Sequence, residues 1–585
     1  MRFWFLLCLA PLLVVVQAFA QDPPVFELPE VIVPGRRPQS PGSTPASVTV
    51  ITRAEIERLG ARTIAEVLRL VPELTIRTYG GFGSLAEPSI RGFGPGQVLV
   101  TVDGIPVNNV ALGQADLSTI STAGVERIEV LRGAFGAISG SGAVGGVINI
   151  VTSAEAGPLV AARTGGAGER GLRLSGGTGR LAVSLEAAGS DGFRPNSDAA
   201  TMTAIAGLTL GGATRINVHH TRMHVGTPGD IAFPTPQDRQ SLERTILQSQ
   251  WGTGTDSSRG RLYYVTEQLD FSSPFGASAY ASSILGGEIQ RQWDLAPGRV
   301  LVGGLEMQRQ QLDALVFGSS IIRDAVLGAG YLQYDAALSA RSLASFAVRV
   351  DTHSTYGMSV NPRAGIVVNI HDHLRVRLGA GRTFRGPTYL HLYFPGCSDP
   401  SLRPESAWTA EASVERIFTA TIFTITAFAS EATDLISGGC PPQNIGAASI
   451  RGASAEVRGQ LRGALSGRLN LTAMQATDRA TGMGLPRVPD ITAHAAFTYN
   501  LWSGSTLTLL GEYVGRRPDM DFSVFPAVPI MMPGYFDLAL RYHRESPSGW
   551  AVVVGVNNLL DSSYEAVKGY PVPGRTMFVS ASRRY

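Results

Sequence analysis

Three groups of residues in this sequence have types and spacings that could do chemistry. The first is Gly140-Ser141-Gly142-Ala143-Val144-Gly145, which fits the glycine pattern of a dinucleotide-binding turn. That turn works only between a strand and a helix, because the helix N-terminus holds the pyrophosphate. Here Val147 to Val151 follows, a short β-branched run that reads as a strand, so no helix opens. A P-loop is excluded too, since no lysine follows the glycines and Lys568 is the only lysine in the chain. The second group is the three cysteines: Cys8 in an apolar N-terminal run, Cys397 in Phe394-Pro395-Gly396-Cys397, and Cys440 in Gly438-Gly439-Cys440-Pro441-Pro442. The third is nine histidines, none of which precedes His219. They show no zinc-ligand spacing, and no metal site is expected. No Gly-x-Ser-x-Gly nucleophile elbow appears; in Gly136-Ala137-Ile138-Ser139-Gly140 the serine stands one place too late. Neither catalysis nor a bound cofactor is expected.

The elements that must carry these residues are bounded by composition. Of 585 residues 68 are Gly, 16% are charged and 44% are hydrophobic, and the net charge is only +2. So small a charge gives no electrostatic case for nucleic acid. Past the N-terminus no apolar run is long enough for a membrane-spanning helix. A β-barrel stays open, because its strands give only weak alternating signals. Residues 1–20 read as a secretory signal: Arg2, the apolar run Phe3 to Val16, and the small-x-small site Ala18-Phe19-Ala20, with Cys8 in the part removed.

The most patterned stretch runs from Pro88 to Thr152. It contains Ser89-Ile90-Arg91-Gly92-Phe93, then Val98-Leu99-Val100-Thr101-Val102 followed by the turn pair Asp103-Gly104. Next come Gly124-Val125-Glu126-Arg127-Ile128-Glu129-Val130-Leu131-Arg132-Gly133 and the glycine run leading into Val147-Ile148-Asn149-Ile150-Val151. In this order the motifs resemble the plug domain of TonB-dependent outer-membrane transporters, which sits inside a large β-barrel and moves to admit a scarce nutrient. The resemblance implies a plug over 45–155 and a transmembrane barrel over 156–585. Upstream, Thr52-Arg53-Ala54-Glu55 and Thr63-Ile64-Ala65-Glu66 read as capping boxes of two short helices. The first should stop at Gly60, and the second should bury Ile64, Val67, Leu68 and Val71.

Residues 21–44 are Pro-rich and polar around one apolar island, Glu30-Val31-Ile32-Val33-Pro34-Gly35. A short β-prone segment in a flexible stretch can add as a strand to a partner's sheet. In the family this is the TonB box over 30–35, which the energy-transducing protein TonB grips from the periplasm. Pro34 donates no ladder hydrogen bond, so pairing should stop by Val33. The alternative is a plain linker.

From Gly157 the pattern changes to period two, as in Leu374-Arg375-Val376-Arg377-Leu378 and Phe536-Asp537-Leu538-Ala539-Leu540-Arg541-Tyr542. A soluble sandwich would bury the apolar face, whereas a membrane barrel turns it to lipid and keeps charge in the lumen. The length suits about 22 antiparallel strands, the size of plugged barrels. Gly555 to Asp561, Pro573 to Thr576 and the terminal Tyr585 resemble the family's last hairpin, although Arg583 stands where an aromatic is usual. Phe384-Arg385-Gly386-Pro387-Thr388 and Asp399-Pro400-Ser401-Leu402 resemble a mid-barrel strand and loop of these transporters.

The resemblance also implies where function lies. It places the protein in the outer membrane of a Gram-negative bacterium, with membrane lipid and TonB as partners. Cargo binds on plug loops Tyr79 to Glu87 and Pro106 to Asp116 and on extracellular loops. The candidate contacts are Tyr79, Phe82, Ser84, Asn108, Asn109, Gln114, Phe233, Tyr393 and Phe394, with Arg403 nearby. The family's register puts Cys397 and Cys440 on the extracellular side, where an oxidising compartment permits a disulfide. Cargo of the family includes ferric siderophores and cobalamin, the second carried by receptors of similar length. No Asp-rich loop argues for calcium. A haem receptor is an alternative, with His391 between the two mid-barrel motifs, but the plug offers no histidine. His219, His220 and His224 read as polar lumen lining, and His371-Asp372-His373 as a periplasmic turn. A non-transporting receptor or adhesin barrel and a secreted β enzyme are the other readings.

Overall fold

The computed structural model describes residues 31–32, 38–39, 44–153, 157–211, 214–252, 257–436 and 438–585. The expected signal peptide, and Glu30, Val33 and Pro34 of the expected box, lie outside them. β1 (Val31–Ile32) pairs antiparallel with β2 (Pro38–Gln39), Val31 opposite Gln39 and Ile32 opposite Pro38.

The next unit is a small sheet with helices. Its strands are β3 (Ser47–Thr52), β4 (Leu74–Thr78), β5 (Ala86–Ile90), β6 (Val98–Val102), β7 (Ile105–Pro106), β8 (Val125–Arg132) and β9 (Gly146–Thr152). Five of them form one sheet in the order β3-β8-β9-β6-β7, with β6 and β9 parallel, while β4 and β5 pair separately. Asp103 and Gly104 join β6 to β7 at φ 50° and 79°, a turn both residue types tolerate. α1 (Arg53–Leu59) has the expected capping box at Thr52 and ends at Gly60 in the left-handed region. α2 (Ile64–Leu68) differs from expectation. Thr63 makes no side-chain cap, because Glu66 instead accepts the Arg62 N–H at 3.1 Å. Ile64, Val67, Leu68 and Val71 are fully buried, as their spacing predicts, against Val100, Ile128 and Ile148.

The remainder is a closed barrel of 22 strands, from Leu159–Gly165 to Thr576–Arg584, with successive barrel strands antiparallel. These two end strands pair with each other, Leu159 opposite Arg584 and Gly165 opposite Phe578, and close the ring. Along Leu181–Ser190 the side chains of Leu181, Val183 and Leu185 are exposed, while Ala182 and Ser184 are buried. The apolar face therefore points outward and the polar face points at the small sheet, the arrangement of a membrane barrel rather than a soluble sandwich. Arg375 and Arg377 face inward and pair with Glu415. His219 faces inward too, 3.2 Å from Asp103. Strand alternation puts His220 and His224 on the outer face, so only His219 of the three lines the lumen. Hairpin connections at one end are short, as at residues 372–373; those at the other are long, as at 386–404, 515–534 and 558–575. α1 lies at the short-turn end, where Glu57 meets Arg584 at 2.5 Å.

Candidate functional site: the mouth and the seam beneath it

At the long-loop end, the plug loop after β4 meets the barrel connections. The Tyr79 hydroxyl accepts from Arg487 at 2.6 Å and reaches Glu87 at 3.3 Å, and its ring sits edge-on to Tyr570 at 4.9 Å. Arg487 also donates to Asp519 at 2.9 Å, and the Lys568 amide donates to the same carboxylate at 3.1 Å. Three barrel loops thus converge on one plug tyrosine. Phe82 packs on the barrel wall beside Ala199, Met223 and Val225, with the Arg62 guanidinium 4.0 Å from its ring centre. The Ser84 amide donates to Gly81.

The second plug loop is braced by its own side chains. Asn108 accepts from the Val100 amide and donates to the Val98 and Gly113 carbonyls. Asn109 accepts from the Leu112 amide and donates to Glu267 of the barrel, while the Gln114 carbonyl accepts from the Asn109 amide. Asn108 and Asn109 hold this loop's shape with their side-chain hydrogen bonds. Among the barrel residues, Phe233 is open at 59% exposure. Tyr393 lies under the Arg323 guanidinium at 4.0 Å, and Phe394 packs in the cluster around Tyr389. Arg403 is paired with Asp434 at 2.5 Å.

Asp116 ends the second loop, accepting from the Ala86 and Ser118 amides at 3.0 and 2.9 Å. Burial pushes its carboxyl up to about 6. The protonated form is the one burial favours. This contribution to stability is therefore full below the ordinary carboxylate range and is lost as pH rises through about 6. Asp116→Asn keeps an acceptor and removes the charge. It should stabilise the plug at pH 7 by about 1–2 kcal/mol and leave stability at pH 4 nearly unchanged. Hydrogen exchange of the β5 amides at the two pH values checks this; equal protection in both proteins at pH 7 contradicts it.

Cys397 and Cys440 are joined as a disulfide with Cα atoms 5.0 Å apart, tying loop 386–404 to loop 438–443. Replacing both by Ser should leave the barrel folded and speed protease cleavage in these loops several-fold on intact cells. Unchanged cleavage would contradict a restraining role. His391 sits in α4 (Tyr389–Tyr393), where Thr388 and His391 form a reciprocal cap. The Thr388 amide donates to His391 Nδ1 at 3.3 Å, and burial pulls the imidazole down to about 4. A neutral ring that accepts at Nδ1 carries its proton on Nε2, the nitrogen a haem iron would need.

The glycine turn cradles no phosphate. The Gly142 amide donates to Phe384 O at 3.1 Å, and those of Val144 and Gly145 donate to Gln97 O at 3.1 and 2.9 Å. The glycines serve close approach instead: a Cβ on Gly145 would lie 2.9 Å from Ile90 O.

Below the mouth, charged groups fasten plug to barrel. Arg91, 1% exposed, donates to Glu73 at 2.5 Å, faces Glu411 of the barrel at 2.8 Å and covers the Phe428 ring at 4.6 Å. Ser454 of the barrel donates to Glu73 at 2.5 Å, and Arg132 donates to Pro72 O at 3.0 Å. Arg363 and Arg377 of the barrel donate to the Pro45 and Thr44 carbonyls at 2.9 and 3.2 Å, and Arg541 donates to Leu59 O at 2.9 Å. Sequence reasoning quoted Arg91 in its motif but gave it no role. Its partner Glu411 is too distant in sequence to leave any spacing signal.

A lipid-facing barrel filled by a sheet domain, with loops gathered over that domain at one end, is a plugged outer-membrane transporter. Residues 40–147 match the family model TonB-dependent Receptor Plug Domain, and residues 176–559 match TonB dependent receptor-like, beta-barrel. The chain belongs to the TonB-dependent receptor family, whose members are outer-membrane transporters and receptors rather than enzymes. The vitamin B12 transporter BtuB of Photobacterium profundum is 26% identical over 616 residues, covering 99% of this chain and 98% of that protein. BtuB of Vibrio cholerae is 26% identical over 606 residues, covering 95% of each. Among solved structures, the siderophore receptor PirA from Acinetobacter baumannii has a TM-score of 0.78 at 17% identity, covering 92% of this chain and 98% of that one. The ferric enterobactin receptor PfeA of Pseudomonas aeruginosa has a TM-score of 0.77 at 17% identity, covering 94% and 100%. These structures share the fold. The long-loop end is extracellular and the short-turn end periplasmic, and the protein carries out TonB-dependent nutrient transport.

Proposed function

We propose that the cargo is a cobalamin-type corrinoid, bound at the extracellular mouth and drawn through the barrel by TonB. The observation that carries this reading is end-to-end sequence similarity to vitamin B12 transporters of the same length. The charge at the mouth supports it. Arg487, Arg403 and Arg194 are committed to Asp519, Asp434 and Gly229 O, respectively. A strongly anionic ferric chelate gains most from uncommitted guanidinium groups, whereas a nearly neutral corrinoid does not need them. In this reading, binding against the plug loops loosens the plug's periplasmic segment, and TonB pairs with the strand at Val31–Ile32. The processed chain begins at Gln21, the periplasmic segment extends to residue 44, and the plug spans 45–155.

The test is equilibrium binding of detergent-purified protein to cyanocobalamin, to ferric siderophores and to haem. Saturable cobalamin binding with no response to the ferric chelates is the expected result. Tight binding of a ferric siderophore without cobalamin binding would overturn the cargo and leave the transport class intact.

A further inference from the structure

The outer wall of the barrel carries arginines without carboxylate partners at its short-turn end. We propose that Arg583 and Arg544, with Trp550 and Tyr585, form a binding site for the phosphate of an anionic phospholipid in the periplasmic leaflet of the outer membrane. The site lies on the lipid face, away from the mouth, and does not depend on which cargo is carried.

Strand alternation fixes the direction of these side chains. In Thr576–Arg584, Met577 and Val579 are exposed and Phe578 is buried, so Arg583 shares the outward face. In Tyr535–Glu545, Phe536 is exposed and Arg541 is buried, which turns Arg544 outward. Arg583 lies directly opposite Trp550 on one neighbouring strand and Val160 on the other, both of them exposed. Its guanidinium sits 5.5 Å from the Trp550 ring centre and 4.6 Å from that of Tyr585. Arg544 lies opposite Val552, on the strand that runs between the two arginines. Strand spacing and rise put the two Cα atoms about 12 Å apart, so two side chains of this length can meet at one headgroup.

The charge pattern points to an anion. Among the described residues Arg583 and Arg544 form no ion pair. Two more outward arginines of the same rim, Arg291 and Arg416, lie 5.8 Å from the ring centres of Trp293 and Phe418. Three exposed arginines of the long-loop end are each matched instead: Arg309 with Asp324, Arg403 with Asp434 and Arg451 with Glu431, at 2.6, 2.5 and 3.4 Å. An unpaired guanidinium at headgroup depth is attracted to anionic lipid. An aromatic ring covers the guanidinium's face and leaves its N–H edges, which pair bidentately with phosphate. A zwitterionic headgroup carries its own cation and gains less. The next residue, Arg584, faces the lumen and holds Glu57 of α1 at 2.5 Å. The end of this strand is therefore fastened to the plug on one face and to lipid on the other.

Native mass spectrometry of the full chain in detergent reads bound lipid directly, with palmitoyl-oleoyl phosphatidylglycerol and the phosphatidylcholine of the same chains as separate probes. The wild type should hold phosphatidylglycerol about twentyfold more tightly than phosphatidylcholine. Arg583→Gln and Arg544→Gln should each weaken phosphatidylglycerol binding about fivefold, the share of one arginine at an anionic surface, and the double variant should bind both lipids nearly alike. Arg309→Gln removes an arginine already committed to Asp324 at the other end and should change nothing. Heat-modifiable mobility shows that each barrel is folded. Equal retention of the two lipids by the wild type, an unchanged preference in the double variant, or an equal loss in Arg309→Gln would overturn the site.

Discussion

Arg91→Ala is expected to detach the plug from the barrel wall while leaving the barrel itself folded. The side chain is buried between Glu73 of the plug and Glu411 of the barrel, its guanidinium 2.5 and 2.8 Å from their carboxylates. Removing it leaves two carboxylates in a site with little water. Breaking one side of a buried ionic group in this way costs about 3–5 kcal/mol. The stacking of the guanidinium over Phe428 is lost as well. Arg91→Lys should fail almost as badly, because a compact ammonium cannot span both carboxylates. The measurement is hydrogen exchange of plug amides in detergent, with heat-modifiable mobility reporting the barrel. Faster exchange across β4 and β5, with barrel mobility unchanged, is the expected result; wild-type exchange in Arg91→Ala would remove the ion cluster from the plug's anchorage.

Deleting Glu30 to Pro34 is expected to reduce uptake to the level of cells without TonB, while cargo binds the cell surface as before. A two-residue ladder is the whole of the structure that engages this segment among the described residues, Val31 and Ile32 opposite Gln39 and Pro38. So small a ladder gives up little when its strand is taken over by a partner's sheet edge. The point variant Ile32→Pro removes one donor from that strand and should act in the same direction. Radiolabelled cobalamin uptake and surface binding on the same cells separate the two steps. Undiminished uptake in the deletion would show that force enters elsewhere.

Much of the fold was legible because its signals are local. Asp103-Gly104 announces its turn, Thr52 and Glu55 announce the first cap, and alternation along the later strands announces a two-faced sheet. What failed was also local but contested. Thr63-Ile64-Ala65-Glu66 has the spelling of a capping box, yet Arg62 precedes it and takes the glutamate for its own amide and guanidinium. Alternation was read without phase at His219, His220 and His224, and a phase error of one residue exchanges lumen for lipid. In the mouth, the family resemblance named Asn108 and Asn109 as cargo contacts, and the structure adds a bracing role to them. Asn108 and Asn109 have the side chains of a ligand contact, but short amides are equally the residues that brace a tight loop. The Arg91 cluster and the Tyr79–Arg487–Asp519 junction were illegible because their members come from opposite ends of the chain. No spacing rule links a plug residue to a barrel strand hundreds of positions later.

The pairing of Leu159–Gly165 with Thr576–Arg584 has a consequence for the order of events when the molecule is made. That contact joins the two strands of the barrel most distant in sequence, so its closure entropy is the largest in the ring until the intervening hairpins form and shorten the effective loop. The plug precedes the first of these strands in the chain. An order in which the hairpins form first would gather the plug inside the curling sheet before the last edge meets the first, in the manner of a cork around which the bottle is blown.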